Sequence, residues 1–390
     1  MRRAEDYVIV LILFLSIFII GCSNNSVEVT GSGITIADRE SIVTEKQSFP
    51  VKEVREITIS SIGDILIHQP VYTDAWTGNK YNFQPMFEKV NTYLSAATIA
   101  TANQESMIGG TDIGLSSYPQ FNSPIEVGDA LKVAGVDAII MANNHTLDRG
   151  EVAIQNAIRY WEKNDMTYTG ASKDVEDQKE LRIIETEEEI SVALLAYTYG
   201  TNGIPTPTNK EYLVNLIDRE KMAEEIARAK QEADVIVLNL HFGTEYERLP
   251  NEEQKELAQF AADQGVHAII GHHPHVLQPA TWVEGKEGNK TLVVYSLGNF
   301  LSNQQELHQR IGGIFDFTVK KTTYGSHEKV ELHSPTFLPT YVKFSPNWSD
   351  YQVVPMYQLT DDDLRGVGQH YEEIKVHMSQ WLPELEFPES

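Results

Sequence analysis

The chain has 390 residues, 41% of them hydrophobic, 22% charged and 9% aromatic, proportions of an ordinary globular protein that exclude a disordered chain, a collagen-like repeat and a multi-pass membrane protein. Its 31 basic and 56 acidic residues leave a formal charge of -25, which argues against nucleic acid as a partner, because Lys and Arg hold phosphate backbones, and against electrostatic attachment to anionic lipid. A single cysteine excludes an intrachain disulfide and any metal site built on several thiolates.

Arg2 and Arg3 precede an apolar run from Tyr7 to Ile20, and Gly21-Cys22-Ser23 follows. A basic start, a short greasy segment and a small-residue junction predict a secretory signal over residues 1–21, too short for the ~20 apolar residues of a membrane span. The junction looks like a bacterial lipoprotein cleavage box, with Cys22 as the lipidated first residue of the mature chain; an uncleaved signal anchor is the alternative. Both readings place the domain on the extracytoplasmic face of the cell membrane. Residues 22–54, rich in Ser, Thr, Gly, Asn and charge, predict a flexible tether.

Six apolar runs follow, each ending in polar residues. Glu56–Ile62 stops at Gly63-Asp64, and Ala96–Ala102 at Asn103-Gln104-Glu105. Val136–Ala142 stops at Asn143-Asn144-His145, with Asp148 just beyond. Asp234–Leu240 stops at His241 with Glu245 nearby, Val266–Ile270 at Gly271-His272-His273-Pro274-His275, and Thr291–Leu297 at Gly298-Asn299. Helices are predicted over 125–134, 149–163, 218–232 with Asp218 as N-cap, and 252–264 closed by Gly265. Residues 183–185 and 190–196 read as a hairpin around an acidic turn. Strand and helix in alternation imply βαβ units and a largely parallel sheet, and open α/β sheets bind ligands beyond the carboxyl ends of their strands.

Taken singly, Asp64 reads as a turn or cap, the two asparagines as turn residues and each histidine as a packed or solvated side chain. Six such ends at one sheet edge build a site. Imidazole and carboxylate without thiolate suit Zn, Mn or Fe, and two metals ~3.5–4 Å apart activate water for attack at phosphorus. Asp64, Glu105, Asn144, His241, His273 and His275 are the candidate ligands of two divalent ions. His145 and Asp148 are the candidate catalytic residues, His145 to protonate a leaving oxygen. Asn103, Asn143, Glu245, His272 and Asn299 are candidates to touch substrate. A metal-free polar network binding an organic ligand is the competing reading. No Gly-x-Ser-x-Gly elbow, phosphate loop or dinucleotide fingerprint occurs.

The motifs Gly63-Asp64-Ile65-Leu66, Asn103-Gln104-Glu105, Asn143 to Gly150, His241 to Tyr246, Gly271 to Val276 and Ser296 to Phe300 together resemble the CapA-type poly-γ-glutamate capsule biosynthesis family over about residues 57–303. That family is similar to the calcineurin-type metallophosphoesterases, which implies a four-layer α/β/β/α sandwich with a two-metal site. Position by position, Asp64 matches the first aspartate ligand, Glu105 the bridging acid, Asn144-His145 the Asn-His pair, His241 the middle histidine and His273-Pro274-His275 the closing His-x-His. Two departures stand out: the opening Asp-x-His of the superfamily is Asp64-Ile65-Leu66 here, and glutamate replaces the bridging aspartate. The resemblance implies a role in making or exporting poly-γ-glutamate beside membrane synthase subunits. Hydrolysis of a phosphorylated envelope component is the alternative, and a substrate-binding lipoprotein for transport is a third class.

The domain is expected over 55–345. Its last part, 313–319, 329–334 and 336–344, reads as three strands that complete the second sheet. In the remainder, 346–390, a helix is expected over 361–381 and a loose tail from Pro383.

Overall fold

The computed structural model describes residues 52–389; the signal segment, Cys22 and the tether up to residue 51 lie outside the described residues. The chain first lays down four parallel strands, β1 (Lys52–Ile65), β2 (Ile99–Asn103), β3 (Ala138–Ile140) and β4 (Thr167–Thr169). It then builds a second sheet from β5 (Arg182–Glu185), β6 (Ser191–Thr198), β7 (Val235–His241), β8 (Ala268–His272), β9 (Leu277–Glu284) and β10 (Lys290–Leu297), in the order β5-β6-β7-β8-β10-β9. Finally β11 (Asn299–Leu301), β12 (Ile311–Tyr324), β13 (His327–Lys343) and β14 (Gln352–Pro355) return to the first sheet, whose order is β14-β13-β12-β1-β2-β3-β4, with β11 beside β1.

Side-chain alternation along the strands sorts the apolar residues into layers. Val235 and Val237 of β7 join Ile57, Ile59, Ile99, Leu292 and Phe317 in a core between the sheets. Ile236, Leu238 and Leu240, on its other face, pack on Met222 and Ile226 of the helix Arg219–Glu232 and Leu257 of the helix Glu252–Gln264. The helices Glu126–Ala134 and Gly150–Lys163 cover the outer face of the first sheet through Leu131, Ile154, Ile158 and Trp161. The result is the four-layer α/β/β/α sandwich that the resemblance implies. Strands buried on both faces read as unbroken apolar runs, which is why β7 and β10 stand out in the sequence. The helix ends behave as their residues dictate: Asp218 Oδ1 accepts the N–H groups of Glu220 and Lys221, and Gly265 closes its helix with φ at 90°.

Three expectations need correction. The strands after residue 310 extend the first sheet, because β12 pairs antiparallel with β1 from Lys52↔Tyr324 to Ile62↔Ile314. The two runs around Ser334 are one strand, β13, with a bulge: the register slips between Asp316 and Thr318, and Ser334 takes the left-handed region at φ 49°. The segment beyond Pro383 is no loose tail in its described part, since Leu385 is buried, Phe337 N–H donates to Glu386 O at 2.8 Å and Glu386 N–H to Pro335 O at 3.1 Å. The helix of that region is Val367–Ser379, and its Val367, Tyr371, Ile374 and Met378 belong to the core between the sheets. No helix among the described residues is long and apolar enough to cross a membrane.

His267, one residue before β8, accepts the Ile236 N–H on Nδ1 at 3.0 Å. Burial, reinforced by the charge on Lys230, depresses its imidazole to about 4 from an ordinary 6.5. The folded state therefore favours the neutral ring. The stabilisation is complete above pH 6.5 and is lost as pH falls from there to about 4. His267→Asn, which keeps an acceptor and cannot charge, is expected to flatten that part of the stability–pH curve by at most ~3 kcal/mol, measured by urea unfolding at pH 7 and pH 4.5.

Candidate metal centre

Both sheets turn the carboxyl ends of their parallel strands to one edge, and every candidate ligand meets there. Asp64 ends β1, Glu105 lies two residues past β2, Asn144 follows β3, His241 closes β7, and His273 and His275 follow β8. All six are buried. Asp64, Glu105 and His275 each place a donor atom within 4.8 Å of the others, and so do Glu105, His241 and His273. Glu105 is the member common to both clusters. Asn144 joins the second through its Oδ1, 2.9 Å from His241 Nε2.

Close approach of the backbones makes this possible. An added Cβ on Gly271 would lie 2.0 Å from Tyr295 O, and one on Gly63 2.0 Å from Gly298 O. Asp64 N–H donates to Gly298 O at 2.9 Å. His273 (φ 98°) and His275 (φ 57°) both sit in the left-handed region, a conformation that costs a non-glycine residue ~1–3 kcal/mol and gathers at functional sites. It turns both rings back toward the edge, 5.9 Å apart between centroids.

The polar atoms reveal what the cluster suits. Both Glu105 oxygens, both His272 nitrogens and His273 Nδ1 are buried with no hydrogen-bond partner, and each such group costs ~1–3 kcal/mol. A divalent cation would satisfy carboxylate and imidazole together, so the residues fit the group that the resemblance implies. Electrostatics agree. Burial pushes the Glu105 carboxyl well above its ordinary range. Burial works to raise Asp64 too, but the neighbouring imidazoles of His272 and His275 outweigh it and hold that carboxyl well below its ordinary value. Burial also opposes charge on His275, yet Glu105 and Asp64 lift it to about 9. His241 is held well below its usual value and His273 at about 3, by burial first and by each other or His275 second. His241 and His273 are thereby kept neutral, as a metal requires of an imidazole, whereas His275 would have to give up a proton to a bound cation.

A second row orients the first. Asn299 Nδ2 donates to Gln304 Oε1 and Gln309 O, which fixes its Oδ1 toward His275 Nδ1 at 3.1 Å; Asp64 Oδ2 faces the same nitrogen at 3.1 Å. Two acceptors there hold a proton on Nδ1, so Nε2, 3.5 Å from Glu105 Oε1, is the nitrogen that would yield its proton to a cation. Asn103 Nδ2 donates to Asp64 Oδ1 at 2.7 Å, and Asn143 ties its loop to the end of β2, donating Nδ2 to Gln104 O and accepting the His145 N–H on Oδ1. Asn103, Asn143 and Asn299 are thus buried and engaged with site residues, and His272 stands 3.6 Å from Asp64 Oδ1. Of the five residues expected to touch substrate, Glu245 alone is exposed. Asp148 Oδ2 accepts from His145 Nδ1 and from the Phe121 N–H, both at 2.7 Å.

Sequence reasoning missed three neighbours. Phe121 is wedged edge-on between His68 and His145, with centroids 5.2 and 4.8 Å away. Tyr199 lies 4.7 Å from the His273 ring, and Asn202 Oδ1 accepts from Asn144 Nδ2 at 3.2 Å. The run over 190–196 also ends at this edge, so following it one step further would have reached Tyr199; Phe121 sits in a loop with no such signal.

Residues 58–304 match the family model described as bacterial capsule synthesis protein PGA_cap. Over 267 residues the sequence is 29% identical to the capsule biosynthesis protein CapA of Bacillus anthracis, covering 65% of this chain and 62% of that protein. Over 292 residues it is 27% identical to the PGA biosynthesis protein CapA of Bacillus subtilis strain 168, covering 73% of each. The match thus spans less than two thirds of the length of the Bacillus anthracis relative. A candidate 5′-nucleotidase from Staphylococcus aureus, solved in complex with alpha-ketoglutarate, aligns with a TM-score of 0.41 and 15% identity, over 81% of this chain and 58% of that one.

Proposed function

The chain belongs to the bacterial capsule synthesis protein family PGA_cap, and from that premise we propose that it acts at the cell surface in making or exporting poly-γ-glutamate, through a site that holds divalent metal. The observation that carries this reading is Glu105: a buried carboxylate with both oxygens unpartnered, common to two donor clusters. A chain of charge -25 and a polyglutamate repel, so polymer would meet this site through bound cations. We place the domain on the extracytoplasmic face, anchored by lipid on Cys22 or by an uncleaved signal, beside the membrane subunits that polymerise glutamate. Complementation tests the proposal. In a strain lacking the gene, the wild-type chain restores surface polymer and a His273→Ala, His275→Ala chain does not; full polymer from that double variant would refute a role for the site.

The His145–Asp148 pair favours a second reading, hydrolysis of a phosphorylated envelope component. Bound metal would supply Lewis acidity and an activated water. For its part, Asp148 accepts the Nδ1 proton and fixes the His145 ring, with Phe121 packed against its face, so that Nε2 can hold a proton for a leaving oxygen. With manganese and a generic phosphodiester, His145→Ala is expected to lower kcat by ~10²–10⁴-fold and Asp148→Asn by ~10–100-fold, measured at saturating substrate. No turnover by the wild-type protein would remove this reading and leave the first.

A further inference from the structure

The two donor clusters are unequally provided. The one around His241 has four side chains: Glu105, Asn144, His241 and His273. The one around Asp64 has three, Asp64, Glu105 and His275, because buried apolar Ile65 and Leu66 follow Asp64. We propose, on the reading that the site holds metal, that Glu245 supplies the missing donor, so that one metal position is oxygen-rich and opens to solvent while the other is nitrogen-rich and enclosed.

Glu245 follows β7 in a loop that turns at Gly243 (φ 98°) and is pinned on its far side. Tyr246, left-handed at φ 68°, donates its N–H to Pro274 O at 2.8 Å, between the two histidines. Glu247 O accepts from Gln278 Nε2 at 2.8 Å. These anchors leave the Glu245 side chain exposed yet bring a carboxylate oxygen within 4.8 Å of ring nitrogens of both His273 and His275. Glu245 shares its set with His273 and His275 rather than with Asp64 and Glu105, so His275 is the link between them, and rotation of the exposed glutamate side chain is what would carry its carboxylate to an ion beside that ring.

The chemistry of the two sets then differs. Asp64, Glu105 and Glu245 with His275 make three carboxylates and one imidazole, a hard set suited to manganese or magnesium. Glu105 and Asn144 with His241 and His273 bring two imidazoles and suit zinc or iron. The oxygen-rich position fills second and exchanges faster, since one of its ligands lies in solvent.

Titration of the purified full-length protein with manganese, followed by calorimetry and by the electron paramagnetic resonance of free Mn²⁺, reads this without any assay of turnover. The wild type is expected to bind two ions, and Glu245→Ala to keep one at wild-type affinity while the other weakens at least ~10-fold; Glu245→Gln does the same, because the neutral amide is a poor ligand. Thermal unfolding of the metal-free variants stays at the wild-type value, as Glu245 is exposed. Two ions at unchanged affinity in both variants, or loss of both ions together, overturns the assignment of Glu245. No ion in the wild type overturns the metal-centre reading itself, a result distinct from either.

Discussion

Gly63→Ala is expected to destabilise the folded domain severely. The new Cβ would sit 2.0 Å from Gly298 O and 2.8 Å from Leu297 O, and both atoms are backbone held in strands, so no side chain can swing aside. Relief requires β1 and the β10–β11 junction to part, which breaks the bond from Asp64 N–H to Gly298 O. Overpacking of this kind costs ~3 kcal/mol or more, a large share of the ~5–15 kcal/mol that holds a domain together. Gly368→Ala is the control: it lies in the helix Val367–Ser379 with nothing within 4 Å of an added Cβ, and should gain up to ~1 kcal/mol from helix propensity. Soluble yield and thermal unfolding measure both, and a Gly63→Ala protein that melts with the wild type would contradict the close approach.

Glu105→Gln should leave the metal-free protein almost as stable as the wild type and remove its response to metal entirely. Burial keeps the Glu105 carboxyl well above its ordinary range, so without metal a neutral amide of the same shape is a close replacement, within ~1 kcal/mol. Both donor clusters lose their shared member. Metal at a thousand times its Kd stabilises a protein by ~4 kcal/mol, worth ~8–16 °C at the slope of a large domain, and that whole increment should vanish. Melting with and without manganese, beside metal content by mass spectrometry, gives the answer. A variant that retained metal and its stabilisation would displace Glu105 from the centre of the site.

Much of this was legible because local chemistry and global position agree. Val235–His241 lies buried on both faces, so its run is unbroken and its end is a site residue; the same logic exposes Asp64, Asn103 and the histidines after β8. Asp218 and Gly265 mark helix ends by the hydrogen bonds and dihedral they favour. The pairing of β1 with β12 was not legible, since Ile62 meets Ile314 across the chain and nothing local encodes a partner 252 residues away. Nor was the bulge at Ser334, which a sequence presents as a break. Inside the site, left-handed His273 and His275 follow from tertiary packing rather than from propensity. The reach of Glu245 depends on a loop whose two anchors are backbone atoms, and backbone hydrogen bonds have no residue signature.

The place of β1 in the middle of its sheet sets a timetable. One edge of this strand finds β2 about forty residues on, at Ile59↔Ile99, but the other stays open until β12 exists, with Lys52 waiting for Tyr324. An unpaired strand edge is a template for aggregation, and such distant pairing folds slowly. A chain threaded through a membrane amino end first would hold that edge bare for most of its passage. The donors run from Asp64 to His275, so each complete set needs the chain at least as far as His273. If the site takes metal, loading would come last, from whatever metals are present where the finished domain folds, and the choice of ion would then be made by that compartment as much as by the ligands.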